Sequence, residues 1–282
     1  MSPVLQEVPA CARDVDRLIY RSNLVAIGAW RCPTRHPLFR DSGPIRDHCL
    51  SFPRTAAVIE PDNAEPFVAD PTVVELYNAG QEYRRRPVSP QGAESDYFAF
   101  SPAVLDGALP FGASHLCAGA PLYLRQRRLV NAVRSGELDD PLEIEESVLG
   151  VLGQVLRLAR AEPRCATTRE SGRRRAALAD AAARELAADL ALPLPLGLLA
   201  RRLRASPFHL CRVFRERTGR SLHRHRTELR LRGALERIEQ GADLTSVALD
   251  FGFSSHSHFT ASFRTSFGIP PSRLRRFRSR TR

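Results

Sequence analysis

S-P-F-H-L-C-R-V-F-R-E-R-T-G, from Ser206 to Gly219, and S-H-S-H-F-T-A-S-F-R-T-S-F-G, from Ser255 to Gly268, are one structural phrase written twice. Superposed, Ser206 falls on Ser255, His209 on His258, Leu210 on Phe259, Phe214 on Phe263, Arg215 on Arg264 and Gly219 on Gly268. The serine that opens each copy suits a helix N-cap, whose side chain accepts from an early backbone N–H. Leu210, Val213 and Phe214, like Phe259, Ser262 and Phe263, recur at helical spacing and predict one buried stripe. A glycine closes each copy, as a left-handed residue after a helix requires. Short apolar helices are expected ahead of the copies, over 196–203 and 244–251, with turns at Arg204-Ala205 and Gly252-Phe253-Ser254. Helix, tight turn and capped second helix is the sequence form of a helix-turn-helix.

The run S-V-A-L-D-F-G-F-S-S-H-S-H-F-T-A-S-F-R-T-S-F-G-I-P-P-S-R-L-R, Ser246 to Arg275, resembles the AraC/XylS family of bacterial transcription regulators. L-R-L-R-G-A at Leu229 to Ala234, in the helix that would join the two units, matches the same family. Two positions depart from the family pattern. Leu274 stands where an aromatic is usual, and Ala261 where a base-reading polar side chain is frequent. The resemblance covers about the last 100 residues and implies a sequence-specific DNA-binding regulator that touches RNA polymerase.

Charge supports that division of the chain. The 282 residues are enough for two domains, each with its own core. All 42 basic residues are arginine, and 23 of them, against 9 acidic residues, lie from Gly172 onward. The first 171 residues hold 19 arginines and 22 acidic residues, so the whole basic excess sits with the repeated helices. A basic module joined to a nearly neutral one points to a nucleic-acid partner. The six cysteines are scattered without a C-x-x-C pair, and no apolar run reaches membrane-span length, so a cytoplasmic protein with free thiols and no membrane partner is expected.

In chain order, a loosely held arm with a short helix near 16–20 is expected first. The runs 24–30, 48–52, 55–60, 66–70 and 72–77 are then β-prone and divided by Pro, Gly, Asn and Asp. They predict a small β-barrel or jelly roll. Residues 76–85 and 95–105 add a fainter resemblance to the cupin-like effector domain many AraC-type regulators carry. Helical periodicity follows over 122–133 and 142–161, where Val148, Val151, Leu152, Val155, Leu156 and Ala159 form an apolar stripe. That stripe either covers the barrel or makes a homodimer contact. The expected fold class is therefore α+β: a cupin-like effector domain over 1–120, a helical pair over 121–161, a linker over 162–175 and an all-α double helix-turn-helix domain over 176–282. An alanine-rich helix over 175–189 would open this last domain, and a long arginine-laden helix over 221–240 would join its two units.

Recognition helices enter the major groove by their N-terminal residues, and two units on one stiff helix can reach successive segments of double-stranded DNA. The outward positions predicted to read bases are Phe208, His209, Cys211 and Arg212 in the first copy, and His256, Ser257, Thr260 and Ala261 in the second. Arg212 suits guanine, whose O6 and N7 both accept from one guanidinium. Phe208 either meets a thymine methyl or packs into the turn. Ser206, Arg215, Arg224, Arg226, Arg230, Ser255 and Arg264 are candidates for phosphate.

In the N-terminal half, Trp30, Arg31, Tyr77, Tyr83 and Phe98 are candidate linings of a pocket for a small-molecule effector. Cupin metal sites use two histidines and a carboxylate, but His36, His48 and His115 offer no H-x-H pair followed by glutamate. Cys32 with His36, and His48 with Cys49, leave a thiolate–imidazole metal or haem site open. No nucleophile–base signature or phosphate loop appears, and no cofactor is expected. A metal-dependent cupin or DNA-modifying enzyme with an AraC-like unit is the alternative, although Cys32, Cys49 and Cys117 are not spaced as a zinc cluster. A nonspecific architectural binder is a third reading, which two unlike recognition helices disfavour.

Overall fold

The structure, a computed structural model, describes residues 12, 14–41, 43–105, 111–161 and 170–275. It falls into two compact units, 1–164 and 165–282. Cys11, Cys165, most of the expected linker and the arginine-rich end after residue 275 lie outside the described residues.

Among the described residues, the first unit holds nine strands: β1 (Asp16–Arg21), β2 (Val25–Cys32), β3 (His48–Pro53), β4 (Ala57–Pro61), β5 (Phe67–Ala69), β6 (Val73–Tyr77), β7 (Tyr83–Pro87), β8 (Ala93–Phe100) and β9 (His115–Cys117). Every pairing is antiparallel. The strands form a six-stranded sheet in the order β1-β2-β8-β3-β6-β9 and a three-stranded sheet in the order β5-β4-β7. The expected barrel is thus two sheets, not joined by a ladder among the described residues. The short helix expected near 16–20 is strand β1, whose register with β2 shifts between Leu18 and Tyr20. An edge strand with one bulge loses the strict period of two, so its sequence reads ambiguously.

Successive side chains of a strand point to opposite faces, and the large sheet uses both. Val25 and Ile27, Leu50 and Phe52, Val74 and Leu76, and Phe98 and Phe100 form one face. Two helices cover it: α2 (Ala120–Ser135) and α3 (Pro141–Ala161), after the single turn α1 (Pro102–Leu105). Val148, Val151, Leu152 and Val155 of α3 join that core, so the apolar stripe covers the sheet. Asp96 adds a buried charge to this face. Arg127 of α2 donates to it at 2.8 Å, and Arg134 and Arg54 stand at 3.6 and 3.9 Å. Removing either side of such a pair strands a buried charge, which fixes where α2 sits.

The opposite face meets the small sheet. Cys32, Val73, Tyr77 and Ala93 from the large sheet pack with Ala57, Ile59, Phe67, Ala69 and Tyr83 from the small one.

The second unit is helical: α4 (Glu170–Ala188), α5 (Leu196–Arg202), α6 (Pro207–Thr218), α7 (Leu222–Glu239), α8 (Leu244–Asp250), α9 (His256–Phe267) and α10 (Ser272–Arg275). Helix α4 starts five residues before the expected 175, taking in Ser171 and Gly172, which had suggested a linker. Leu274 of α10 is buried although it is not aromatic. Among the described residues, no helix is long and apolar enough to cross a membrane.

Candidate nucleic-acid interface and an N-terminal pocket

Each recognition helix is capped as its sequence requires. The Ser206 hydroxyl accepts from the His209 N–H at 3.2 Å, and Ser255 accepts from His258 N–H at 3.1 Å. Gly219 and Gly268 close α6 and α9 with φ of 68° and 75°. Leu210, Val213 and Phe214 are fully buried in α6, as are Phe259 and Phe263 in α9. Burying one stripe turns the other faces of both helices outward. The bracing helices α5 and α8 end in left-handed residues, Arg204 at φ 51° and Gly252 at φ 71°. The connecting helix α7 starts on Ser221, which accepts from Arg224 N–H, and Asp243 caps α8 by accepting from Thr245 and Ser246 N–H.

The first copy presents most of its expected readers. Phe208 is 79% exposed, so it does not pack into the turn, and Cys211, Arg212 and Arg215 are exposed beside it. His209 is half-buried. In the second copy His256, Ser257, Ala261 and Arg264 are exposed. Thr260 differs from expectation: it is half-buried, and its hydroxyl is shut away from solvent without a hydrogen-bond partner.

Two expected phosphate ligands are engaged elsewhere. Arg226 donates to the carbonyl oxygens of Asp189, at 3.2 Å, and Leu192. Arg230 donates to Leu190 O at 2.8 Å and to Gly252 O at 3.0 Å. Burial pushes both guanidinium pKa values down. These side chains tie the loop after α4 to α7 and to the turn between α8 and α9. Arg224 remains largely exposed while pairing with Glu228 at 3.2 Å. Glu228 also holds Arg220 at 2.6 Å and Arg232 at 3.5 Å.

The first unit contains a cavity of about 160 Å³ on the face of the large sheet away from α2 and α3. Trp30, Tyr77 and Tyr83 line it, as expected. Phe98 and Arg31 do not. Phe98 belongs to the opposite core, and Arg31 reaches Glu94 at 3.5 Å from an exposed position. The period of two decides both, since their neighbours Tyr97 and Trp30 are the ones that line the cavity. Sequence reading missed Asp16, Cys49, Ser51, Glu75, Arg85 and Tyr97. The alternation of Ser95, Tyr97 and Ala99 with Asp96, Phe98 and Phe100 carried the signal. Gly28 makes room here: a Cβ at that position would stand 2.2 Å from the Tyr97 ring.

The cavity's polar groups are mostly paired. Tyr97 donates to Asp16 at 2.7 Å, and Arg46 donates to Asp16 at 3.1 Å. Burial nevertheless raises the Asp16 pKa. Glu75 accepts from the Ser51 hydroxyl and from Tyr77 at 2.9 Å, and burial raises its pKa too.

The thiolate–imidazole pairs do not assemble. His48 and Cys49 are successive residues of β3 and point to opposite faces. His36 lies 3.0 Å from Asp14 through Nε2 and accepts from Leu38 N–H through Nδ1, while the Cys32 thiol faces Pro33 O at 3.8 Å. His115 stacks on Phe67 at 4.0 Å. Among the described residues, no group of three His, Cys, Asp or Glu could hold a metal ion.

Residues 199–276 match a family model described as "Helix-turn-helix domain". Over 85 residues the chain is 38% identical to the HTH-type transcriptional regulator GlxA of Rhizobium meliloti (strain 1021), which covers 30% of this chain and 26% of that protein. The chain thus spans about a quarter of the length of that curated relative. Among solved structures, it is similar to an AraC-type transcriptional regulator from Chromobacterium violaceum: 26% identity, 40% of this chain, all of that one, TM-score 0.36. It is also similar to ToxT from Vibrio cholerae O395: 13% identity, 91% of this chain, 99% of that one, TM-score 0.36. With two capped recognition helices on one connecting helix and this match across 199–276, the C-terminal unit is an AraC-type helix-turn-helix DNA-binding domain.

Proposed function

We propose that the protein is an effector-responsive, sequence-specific transcription regulator of the cytoplasm, each chain reading two adjacent major-groove segments of double-stranded DNA. The observation that carries this is the pair of recognition helices with unlike outward faces. Phe208 and Arg212 stand exposed on α6, against His256, Ser257 and Ala261 on α9. A binder indifferent to sequence has no use for two different groove-facing sets, whereas arginine on guanine and an aromatic on a thymine methyl each select a base. Ser206, Arg215, Arg224, Ser255 and Arg264 are the proposed phosphate contacts, which fix register without reading sequence. The cavity of the first unit supplies a site for the effector, and a homodimer and RNA polymerase complete the proposed partners.

Footprinting of the full-length protein on fragments of its own genome tests this reading. A few protected sites are expected, each spanning two neighbouring major-groove segments. Affinity at such a site should fall with salt at a log–log slope steeper than about −3, the signature of several neutralised phosphates. Uniform protection of all DNA, or a flat salt dependence, overturns the reading.

A further inference from the structure

The two recognition helices match position for position, and at three outward positions they differ in reach. Phe208, 79% exposed on α6, corresponds to Ser257 on α9. Arg212, also exposed, corresponds to Ala261, whose side chain is a single methyl. Cys211, exposed, corresponds to Thr260, half-buried with its hydroxyl shut away from solvent. A base edge is read only by a side chain that reaches it with a donor, an acceptor or an apolar surface. Helix α6 carries a guanidinium and a phenyl ring outward at these positions. Helix α9 offers one short hydroxyl and one methyl there, and keeps its third group inside.

The long polar side chains that α9 exposes near its start are two histidines, His256 and His258. They lie in the first turn, where free backbone N–H groups and the helix dipole attract phosphate. His258 is braced from the turn ahead of the helix. The Ser254 hydroxyl lies 3.1 Å from its Nδ1, and the Phe253 ring meets it edge-on at 5.5 Å. Ala205 and Arg204 occupy the same two places ahead of α6, so His209 has neither a hydroxyl nor an aromatic ring to hold it there. A hydrogen bond to one ring nitrogen sets which of the two carries the proton. With the Ser254 hydroxyl donating to Nδ1, the proton sits on Nε2, which has no partner among the described residues.

We propose that the two helices divide the work. Helix α6 selects bases, through Arg212 on a guanine and Phe208 on a thymine methyl. Helix α9 grips the backbone of the neighbouring major-groove segment, with His258 Nε2 donating to a phosphate oxygen. The operator is then lopsided: one box is fixed in sequence, and a second, about one helical turn away, is loosely defined. This rests on reading the C-terminal unit as a sequence-specific binder.

The full-length protein is used to select duplexes from a pool randomised over about 30 base pairs, roughly three helical turns. The expected product is one box with fixed bases, a guanine among them, and a second box about 10 base pairs away with no base fixed. On the selected site, exchanging the guanine pair of the fixed box should lower affinity about tenfold or more, as losing a bidentate contact does. Exchanging any pair of the loose box should lower it less than about threefold. Arg212→Ala should remove the guanine from the fixed box and leave the loose box as it is. Ala261→Arg should instead fix a base in the loose box. His258→Ala should weaken every sequence by one factor, about threefold to tenfold, and His258→Gln, which keeps a donor, should weaken it less. Two boxes fixed to the same degree, a loose box altered by Arg212→Ala, or a loss on His258→Ala that depends on sequence overturns the division of work and leaves a sequence-specific binder standing. A pool without enrichment overturns both readings.

Discussion

The guanidinium of Arg230 donates to the carbonyl oxygen of Gly252 at 3.0 Å while its Nε donates to Leu190 O at 2.8 Å. One side chain of α7 thus fastens the turn in front of the second recognition helix to the loop that follows α4. Arg230→Ala should cost about 2–3 kcal/mol of stability, since two carbonyls lose charged donors. The salt slope of DNA binding should stay unchanged. Denaturant unfolding paired with a salt titration checks this, and a slope smaller by about one would make Arg230 a phosphate ligand instead.

Gly252 is open to the same kind of test. It sits at φ 71°, and a Cβ there would stand 2.6 Å from Arg230 Nη2 and 2.7 Å from Ala191 O. Gly252→Ala should therefore lose about 1–3 kcal/mol by strain and by displacing Arg230. Its counterpart in the first turn, Arg204 at φ 51°, carries a side chain in the same region. Arg204→Gly should stabilise the unit by about 1 kcal/mol. Thermal unfolding of the two variants should move in opposite directions.

Arg212→Ala should relax preference at one base pair and cost about 1–3 kcal/mol on the best site. Affinity for scrambled DNA should change far less. An equal loss on every sequence would make Arg212 a phosphate contact. Phe208→Ala should act in the same way at a thymine, with a smaller effect.

Asp180, on α4, has its pKa raised to about 6 by burial, with Arg217 and Arg184 pulling it back down. Its ordinary value is 3.8, so folding takes up a proton between those two values. Stability from this group is full below about pH 4 and lost as pH rises through 6. Asp180→Asn should thus exceed the natural chain by roughly 1–2 kcal/mol near neutral pH, the advantage vanishing below about pH 4. Hydrogen exchange of the α4 amides, compared between the two proteins at each pH, reads this. A constant difference across pH would show that the carboxyl is not the cause.

The helical unit was legible because its signals are local. Ser206, Gly219, Ser255 and Gly268 lie within one helix length of the residues they cap, and Leu210 or Phe259 declares its face by spacing alone. What escaped was contact between distant segments. Arg226 and Arg230 read as phosphate candidates, because nothing near them in the chain announces the carbonyls of 189–192. The pocket was half visible for the same reason. Aromatic residues mark it, but whether Phe98 or Tyr97 faces it depends on which side of β8 the helices α2 and α3 cover. Strand β1 was lost to its bulge, which erased the alternation that identified its neighbours.

Gly28 shows how tightly the pocket face is set, because a methyl there meets the Tyr97 ring. Gly28→Ala should move Tyr97, break its 2.7 Å bond to Asp16 and cost about 1–3 kcal/mol. The Trp30 emission spectrum should shift even without ligand.

Because β2, β3, β6 and β8 keep one row of side chains for the core under α2 and α3 and the other for the face that holds the cavity, foldability and the chemistry of the cavity are written in separate letters of the same word. Leu50, Leu76 and Phe98 must satisfy the helices above them, whereas Ser51, Tyr77 and Tyr97 line the cavity below. Rewriting every second residue of these strands changes the chemistry of the cavity and leaves the scaffold beneath it untouched.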